Sequence, residues 1–308
     1  MAAWRRTVAA IALAVPAALA STSAQPEQVF RAAVETVVLD VAVLRGGVPV
    51  RGLSAQHFTI VDNGTARPAA QVFHEAVPLN LVLCLDTSSS LGASGLERLR
   101  DAAEGLLQSL RPDDRLGLVT FSEAVDVRVV PTTRHDDVRA ALRLLAPQGP
   151  TAWRDALFVA SQLVQPTNRA RSVVLLLTDG ADTSSWMRDA QIEAVMGRSR
   201  VVVHAVHLES RPPDTPTSRN IGPPVASQGG PGMRRAVNAS GGRVWSASSD
   251  RELRRLFLEV LQELRDRYLV TYAPPEPVVP GWHAVEVRLN DARGDVTARP
   301  GYWVPPLK

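Results

Sequence analysis

The stretch Leu81-Val82-Leu83-Cys84-Leu85-Asp86-Thr87-Ser88-Ser89-Ser90 decides the fold, because an uninterrupted apolar run ends at a carboxylate followed by several hydroxyls. An apolar run without alternating polar residues is typical of a strand buried on both faces, as in a parallel sheet flanked by helices. In such folds, functional sites lie beyond the carboxyl ends of the strands. The stretch therefore predicts a central strand that presents oxygen ligands at its carboxyl end.

Two later segments are predicted to reach the same edge of the sheet. Asp179 lies in Thr178-Asp179-Gly180 and follows an apolar run at residues 173–177, which indicates a second parallel strand. Thr151 precedes a segment in which apolar residues recur at helical spacing. Carboxylate and hydroxyl oxygens suit Mg²⁺ or Mn²⁺. The three segments therefore predict a shell of oxygen donors around a hard cation.

This order of motifs resembles the von Willebrand factor A domain, in which D-x-S-x-S follows the first apolar strand, a threonine precedes a helix, and T-D-G follows a later strand. In that family these residues form the metal-ion-dependent adhesion site. The resemblance implies as ligands, directly or through water, Asp86, Ser88, Ser90, Thr151 and Asp179. The sequence departs from the family at Ser89 and Pro150, where many members have glycine, and these departures concern the loop geometry.

The alternation of strand and helix patterns along the middle of the chain predicts an α/β fold with a doubly wound, mostly parallel sheet. The flanking segments have strand periodicity instead, and Asp62-Asn63-Gly64 is a strong hairpin signal. Isolated hairpins are marginally stable in water, so both flanks are predicted to form one small β-sandwich-like accessory domain into which the α/β domain is inserted. The predicted boundaries are 1–24 for a signal peptide, 29–76 for the N-terminal β accessory segment, 77–266 for the von Willebrand factor A domain and 267–305 for the C-terminal β accessory segment.

The flanks also resemble those of a bacterial group of secreted proteins related to the von Willebrand factor A domain. This resemblance rests on residues 48–53, 58–64 and 298–302 and spans nearly the whole chain after the leader. It implies little more about function than a domain of this family outside the cytoplasm.

The N-terminus has the three-part pattern of a secretory signal peptide, with Arg5 and Arg6, an apolar stretch over residues 8–19, and small residues around Ala20 and Ala24. The apolar stretch is shorter than the ~20 residues that a membrane span needs. No other segment of the sequence is long and apolar enough to cross a bilayer. We therefore expect a secreted or periplasmic protein without a membrane span in the mature chain.

The distribution of charge argues against a nucleic-acid partner, and the position of the single cysteine indicates a structural role. The formal net charge is +3, and Arg5 and Arg6 leave with the predicted signal peptide. Arginines near the end of the α/β domain alternate with acidic residues on one predicted helix, which indicates a solvated face with internal ion pairs rather than a nucleic-acid surface. These arginines are Arg251, Arg254, Arg255, Arg265 and Arg267. The single cysteine, Cys84, is predicted to be a small buried apolar residue of the first core strand.

Three features lie next to the predicted metal loops. The proline- and glycine-rich segment 209–232 follows the predicted strand at 201–206, so it is expected either to frame the partner-binding surface at the same edge or to be a spacer. Asp182 is expected to be a plain surface carboxylate. For Asp155 the sequence leaves both a surface position and a role behind the metal ligands open.

We predict from the sequence a non-enzymatic binding or adhesion protein whose metal ion captures an acidic side chain of a protein partner. The alternative is a structural assembly module of a cell-envelope complex, in which the metal only stabilises the loops. A metal-dependent hydrolase would need a general base, and the sequence places none near Asp86. An aspartic protease would be nearly all β, whereas the segments after Asp86 alternate between helix and strand patterns.

Overall fold

The structure is a computed structural model that describes residues 36–74, 77–164, 170–180, 182–209 and 230–306. The predicted signal peptide, the start of the N-terminal accessory segment and most of the segment 209–232 lie outside the described residues. The strands are β1 (Val37–Arg45), β2 (Val48–Pro49), β3 (Phe58–Asp62), β4 (Thr65–Pro68), β5 (Gln71–Phe73), β6 (Leu79–Asp86), β7 (Arg115–Phe121), β8 (Val125–Thr132), β9 (Arg171–Thr178), β10 (Val202–Leu208), β11 (Val244–Ala247), β12 (Tyr268–Tyr272), β13 (Gly281–Leu289), β14 (Asp295–Thr297) and β15 (Gly301–Val304). The helices are α1 (Gly92–Ser109), α2 (His135–Arg143), α3 (Trp153–Leu163), α4 (Asp189–Arg198), α5 (Pro231–Ala239) and α6 (Asp250–Arg265), with a 3-10 helix at Ala55–His57. None of the described helices has both the length and the apolar character of a membrane span.

A six-stranded sheet in the order β11-β10-β9-β6-β7-β8 forms the centre of the α/β domain. Strand β6 pairs in parallel with both β7 and β9, whereas β8 is antiparallel to β7. On one face, Leu81, Leu83 and Leu85 share a core with residues of α1, α2 and α6. On the other face, Val82 and Cys84 share a core with residues of α3, α4 and α5. The prediction of a doubly wound, mostly parallel sheet is confirmed.

Strands from before and after the α/β domain form two further sheets. One has the order β14-β1-β12-β5, with β2 paired to β1, and the other has the order β15-β13-β3-β4. Asn63 and Gly64 form the predicted two-residue turn between β3 and β4, with φ angles of 45° and 83°. The two sheets share one apolar core that contains Leu39, Ile60 and Tyr268. The β-sandwich-like accessory domain is therefore also confirmed, while its boundaries stay predictions.

A buried carboxylate connects the two accessory sheets. Asp62 of β3 is completely buried. It accepts hydrogen bonds from the hydroxyls of Tyr272 at 2.8 Å and Tyr302 at 2.9 Å, and His283 Nδ1 lies 3.0 Å from its other oxygen. Burial raises the pKa of both tyrosines, and the bonds to Asp62 raise it further, so both hydroxyls remain protonated donors.

The arginines at the end of α6 do not all lie on a solvated face, contrary to the expectation from sequence. Arg255 conforms, because it is exposed and pairs with two glutamates of the same helix. Arg265 instead donates to the buried carboxylate of Asp114 at 2.6 Å. Arg267 follows the helix, is completely buried and pairs with Asp40 of β1. The helix pattern could not reveal these contacts, because both acidic partners are distant in sequence.

We predict that Asp62→Ala lowers the free energy of unfolding by about 3 kcal/mol, because it leaves two tyrosine hydroxyls without their acceptor in the core. Urea denaturation measures this loss. Glu286→Ala is the matched control, because Glu286 lies in the same sheet but is exposed and pairs with Arg288 of its own strand. Equal midpoints for the two variants would contradict a connecting role for Asp62.

Candidate metal centre

Asp86 ends β6 and is completely buried. Its Oδ1 accepts a hydrogen bond from the Ser88 amide at 2.8 Å, and its Oδ2 accepts one from the Thr178 hydroxyl at 2.5 Å. Burial raises the pKa of Asp86, the bonds from Ser88 and Thr178 lower it, and the nearby charge of Asp179 raises it. A cation beside this carboxylate would favour its ionised form.

Short contacts between oxygens connect Ser88, Ser90 and Asp179. The hydroxyl oxygens of Ser88 and Ser90 are 2.9 Å apart, and the Ser90 hydroxyl donates to Asp179 Oδ1 across 2.9 Å. Ser88 is buried, Asp179 is half-buried and Ser90 is exposed. The group of oxygens thus extends from the end of the central strand to the protein surface.

Thr151 lies beside the same group, two residues before α3. Its hydroxyl oxygen is 3.7 Å, and that of Ser90 is 4.0 Å, from the position that a Cβ would take on Gly180. The Thr151 carbonyl also accepts hydrogen bonds from the Thr183 and Ser184 amides at 2.8 and 3.0 Å. All five residues implied by the family resemblance therefore lie at one edge of the sheet, and their role as ligands stays a prediction.

The loop accommodates the two positions that depart from the family pattern. Ser89 is exposed, and its amide donates to the Gly149 carbonyl at 2.9 Å. Gly149, directly before Pro150, has a φ angle of 64°, which glycine adopts more readily than other residues. The Gln148 amide donates to the Thr87 carbonyl at 2.7 Å. These backbone bonds hold the first loop against the segment that leads into α3.

Asp155 and Asp182 fix the loop that follows Asp179. The expectation that Asp182 is a plain surface carboxylate is wrong, because its side chain is only 1% exposed and pairs with Arg154 at 3.3 Å. Asp182 also accepts hydrogen bonds from the Arg154 and Ser185 amides, both at 2.9 Å. Asp155 accepts bonds from the Trp186 and Met187 amides at 2.8 and 3.0 Å. The run of hydroxyl residues after Asp182 is the sequence signal for such a turn.

His207 is a neighbour of the site that sequence reasoning did not identify. It lies on β10 opposite Thr178, it is buried, and its Nδ1 has no hydrogen-bond partner among the described residues. Burial lowers the pKa of His207, although the charge of Asp179 opposes this effect. A buried imidazole that favours its neutral form therefore lies beside the oxygen donors.

The donor set fits a hard divalent cation. In octahedral coordination at about 2.0–2.1 Å, neighbouring ligand oxygens are roughly 2.9 Å apart. The Ser88–Ser90 and Ser90–Asp179 contacts have this separation. The described residues contain no group of three or more His, Cys, Asp or Glu side chains able to hold a metal, so a site here needs hydroxyls beside its two carboxylates. Oxygen donors of this kind suit Mg²⁺ or Mn²⁺.

Sequence comparison identifies relatives of the central domain. Residues 81–182, which contain all five candidate ligands, match the von Willebrand factor type A domain family. The inter-alpha-trypsin inhibitor heavy chain H4 of Sus scrofa is 32% identical over 128 residues, which cover 38% of this chain and 14% of that protein. A UPF0353 protein of Mycobacterium ulcerans is 25% identical over 231 residues, which cover 69% of this chain and 67% of that protein. This chain thus spans only a small part of the inhibitor heavy chain.

Solved structures show the same fold. A von Willebrand factor type A protein from Catenulispora acidiphila matches with a TM-score of 0.50 at 12% identity, covering 87% of this chain and 72% of that one. Proximal thread matrix protein 1 of the mussel byssus, with a zinc-occupied MIDAS motif, matches with a TM-score of 0.50 at 16% identity, covering 66% of this chain and 49% of that one. At these identities the likeness shows the fold alone.

We predict that millimolar Mg²⁺ or Mn²⁺ raises the thermal midpoint of the protein, because a ligand that binds only the folded state stabilises it by RT ln(1 + [L]/Kd). Ser88→Ala and Asp179→Ala should lose this rise, which differential scanning fluorimetry measures. Ser89→Ala is the matched control from the same loop, because its exposed side chain lies outside the group of oxygens. An equal rise in Ser88→Ala and Ser89→Ala would place the metal elsewhere.

We also predict that Thr178→Val weakens metal binding about 10–100-fold, the usual cost of removing a group that orients a ligand. The valine keeps the shape of the side chain but removes the hydroxyl that donates to Asp86. Isothermal titration with Mn²⁺ measures the change. Thr178→Ser retains the hydroxyl and should restore the affinity, whereas equal weakening by serine would point to packing instead of the hydrogen bond.

Proposed function

We propose that this chain, which contains a von Willebrand factor type A domain, binds a protein partner through a divalent cation held by Asp86, Ser88, Ser90, Thr151 and Asp179. The observation that carries the proposal is the group of oxygen donors that three loops bring to one edge of the sheet, with Ser90 at its exposed side. When bound, the cation supplies a positive centre that can accept an acidic side chain of the partner.

The charges of the site favour an acidic partner group. Asp86 and Asp179 supply two negative charges, which only offset those of a divalent cation, and the serine and threonine hydroxyls are neutral. Five protein oxygens leave one position of an octahedral shell for an outside ligand. A carboxylate of the partner fits that position because it adds both an oxygen donor and a favourable charge.

We propose that Trp186, in the loop that follows Asp179, gives the partner an apolar contact. Its side chain is 94% exposed, although Asp155 holds its backbone amide in place. Ser184, two residues earlier, donates to the carbonyl of Thr151. Tryptophan is enriched among residues that dominate binding energy at protein interfaces. We therefore expect the partner to present an acidic residue with an apolar side chain close to it.

The preferred ion is Mg²⁺ or Mn²⁺, because the donors are carboxylate and hydroxyl oxygens. The zinc found in the mussel protein belongs to that protein. We place the function outside the cytoplasm, in the periplasm or the medium, on the pattern of a signal peptide at residues 1–24, which lie outside the described residues. Binding, rather than catalysis, is the activity that the oxygen donors support.

Mn²⁺-loaded protein allows the proposal to be tested without a known partner. A short peptide that contains aspartate beside leucine should displace Mn²⁺-bound water and so reduce the proton relaxation enhancement of water. The same peptide with asparagine in place of aspartate should not. Trp186→Ala should lower the affinity for the aspartate peptide about tenfold, since the loss of one interface anchor costs more than 1 kcal/mol. Leu144→Ala, which removes another highly exposed apolar side chain, is the control.

Equal binding of the aspartate and asparagine peptides would contradict capture of an acidic group. If the metal binds but neither peptide displaces its water, the metal only stabilises the loops, and the assembly-module alternative follows. If Trp186→Ala and Leu144→Ala bind equally, Trp186 does not contribute to the partner surface.

A further inference from the structure

A small cavity lies between the α/β domain and the accessory domain. It is at the amino ends of the central strands, whereas the candidate metal centre is at their carboxyl ends. It has a volume of about 50 Å³. One wall contains Arg171 and Val202, the first residues of β9 and β10, and the other contains Asp40 of β1 and Leu269 of β12. The metal proposal concerns the carboxyl ends of these strands, so the two sites are independent.

Positive charge predominates in the cavity. Three arginines line it, Arg171, Arg200 and Arg299, against a single carboxylate, Asp40. That carboxylate is already shared, because one oxygen pairs with Arg267 and the other lies 3.2 Å from Arg171. Buried charges of one sign are costly unless an opposite charge or a hydrogen-bond acceptor compensates them.

Arg299 is 8% exposed and binds only carbonyl groups among the described residues, those of Gly301 and Gly197, both at 2.5 Å. Burial and the charge of Arg200 lower the pKa of Arg299 to about 10, which still leaves the guanidinium charged at neutral pH. Its charge therefore has no carboxylate partner in the described part of the chain.

Arg171 contributes an unused donor. Its side chain is 1% exposed, and its Nε has no hydrogen-bond partner among the described residues. Its other nitrogens donate to Asp40 and to the carbonyl of Arg267. A buried guanidinium with a free donor needs an acceptor that this part of the protein does not supply.

We propose that this cavity binds a small tetrahedral oxyanion, namely inorganic phosphate or the phosphate group of a phosphomonoester. Guanidinium groups match phosphate oxygens in geometry and charge. A multiply charged anion suits the unused Nε of Arg171 and the charge of Arg299 better than chloride does. Arg200 lines the cavity and is exposed, and the limited volume admits the phosphate group but not a whole nucleotide.

Isothermal titration of the metal-stripped protein with inorganic phosphate, at a fixed ionic strength of about 0.15 M, tests the site. We expect a dissociation constant of about 1 mM or tighter. Arg200→Gln should weaken it about tenfold, since it removes a lining charge from an exposed position. Arg198→Gln is the matched control, because it removes the same charge two residues away on a side chain that stacks on Trp303 instead.

A second titration with methyl phosphate distinguishes the two sources of the oxyanion. Binding of both compounds supports a site for phosphomonoesters, and binding of inorganic phosphate alone supports a site for the free ion. No heat from phosphate in the wild-type protein would overturn the proposal. Equal weakening by Arg200→Gln and Arg198→Gln, or no weakening by either, would also overturn it, because phosphate would then respond only to overall charge or bind elsewhere.

Discussion

The position of Asp86 is the constraint on which the candidate site depends. Strand β6 is paired on both sides and covered on both faces, so the residue that ends it has little freedom. The sheet supplies the Thr178 hydroxyl to one oxygen of this carboxylate, and the following turn supplies the Ser88 amide to the other. The three loops then meet around a point that the core has already fixed. Rigid secondary structure behind the donors is what a site of defined geometry requires.

The two ends of the parallel strands in the central sheet have different chemistry. The carboxyl ends of the strands present oxygen donors around two carboxylates. Their amino ends meet the accessory domain through arginines and the shared carboxylate of Asp40. Arg171 begins the same strand that Thr178 ends. The accessory domain therefore attaches at the edge opposite the candidate metal centre. This arrangement uses the flanking strands for attachment, and the proposed partner-binding site lies at the other end of the central strands.

The sequence predicted the features that depend on local periodicity or on a fixed motif. The apolar runs of β6 and β9 and the Asn63-Gly64 turn are local patterns of this kind. Helix α5 and strand β11 were not predicted, because α5 begins with Pro231 at the end of a proline-rich segment and β11 is short and half-buried. The roles of Asp182, His207 and Arg267 depend on neighbours brought together by the fold. Such contacts leave no spacing pattern along the chain.

The electrostatics of the site would couple the proposed metal to the proposed partner. Burial and the neighbouring charge of Asp179 raise the pKa of Asp86, against the hydrogen bonds from Ser88 and Thr178, so repulsion from Asp179 opposes ionisation of Asp86. A divalent cation removes that repulsion. The two carboxylates together balance its two positive charges and leave no net negative charge at the site. A partner carboxylate would then bind tightly only when the cation is present, and it would in turn hold the cation more tightly. Because such coupling is reciprocal, the affinity for metal and the affinity for an acidic partner rise by the same factor.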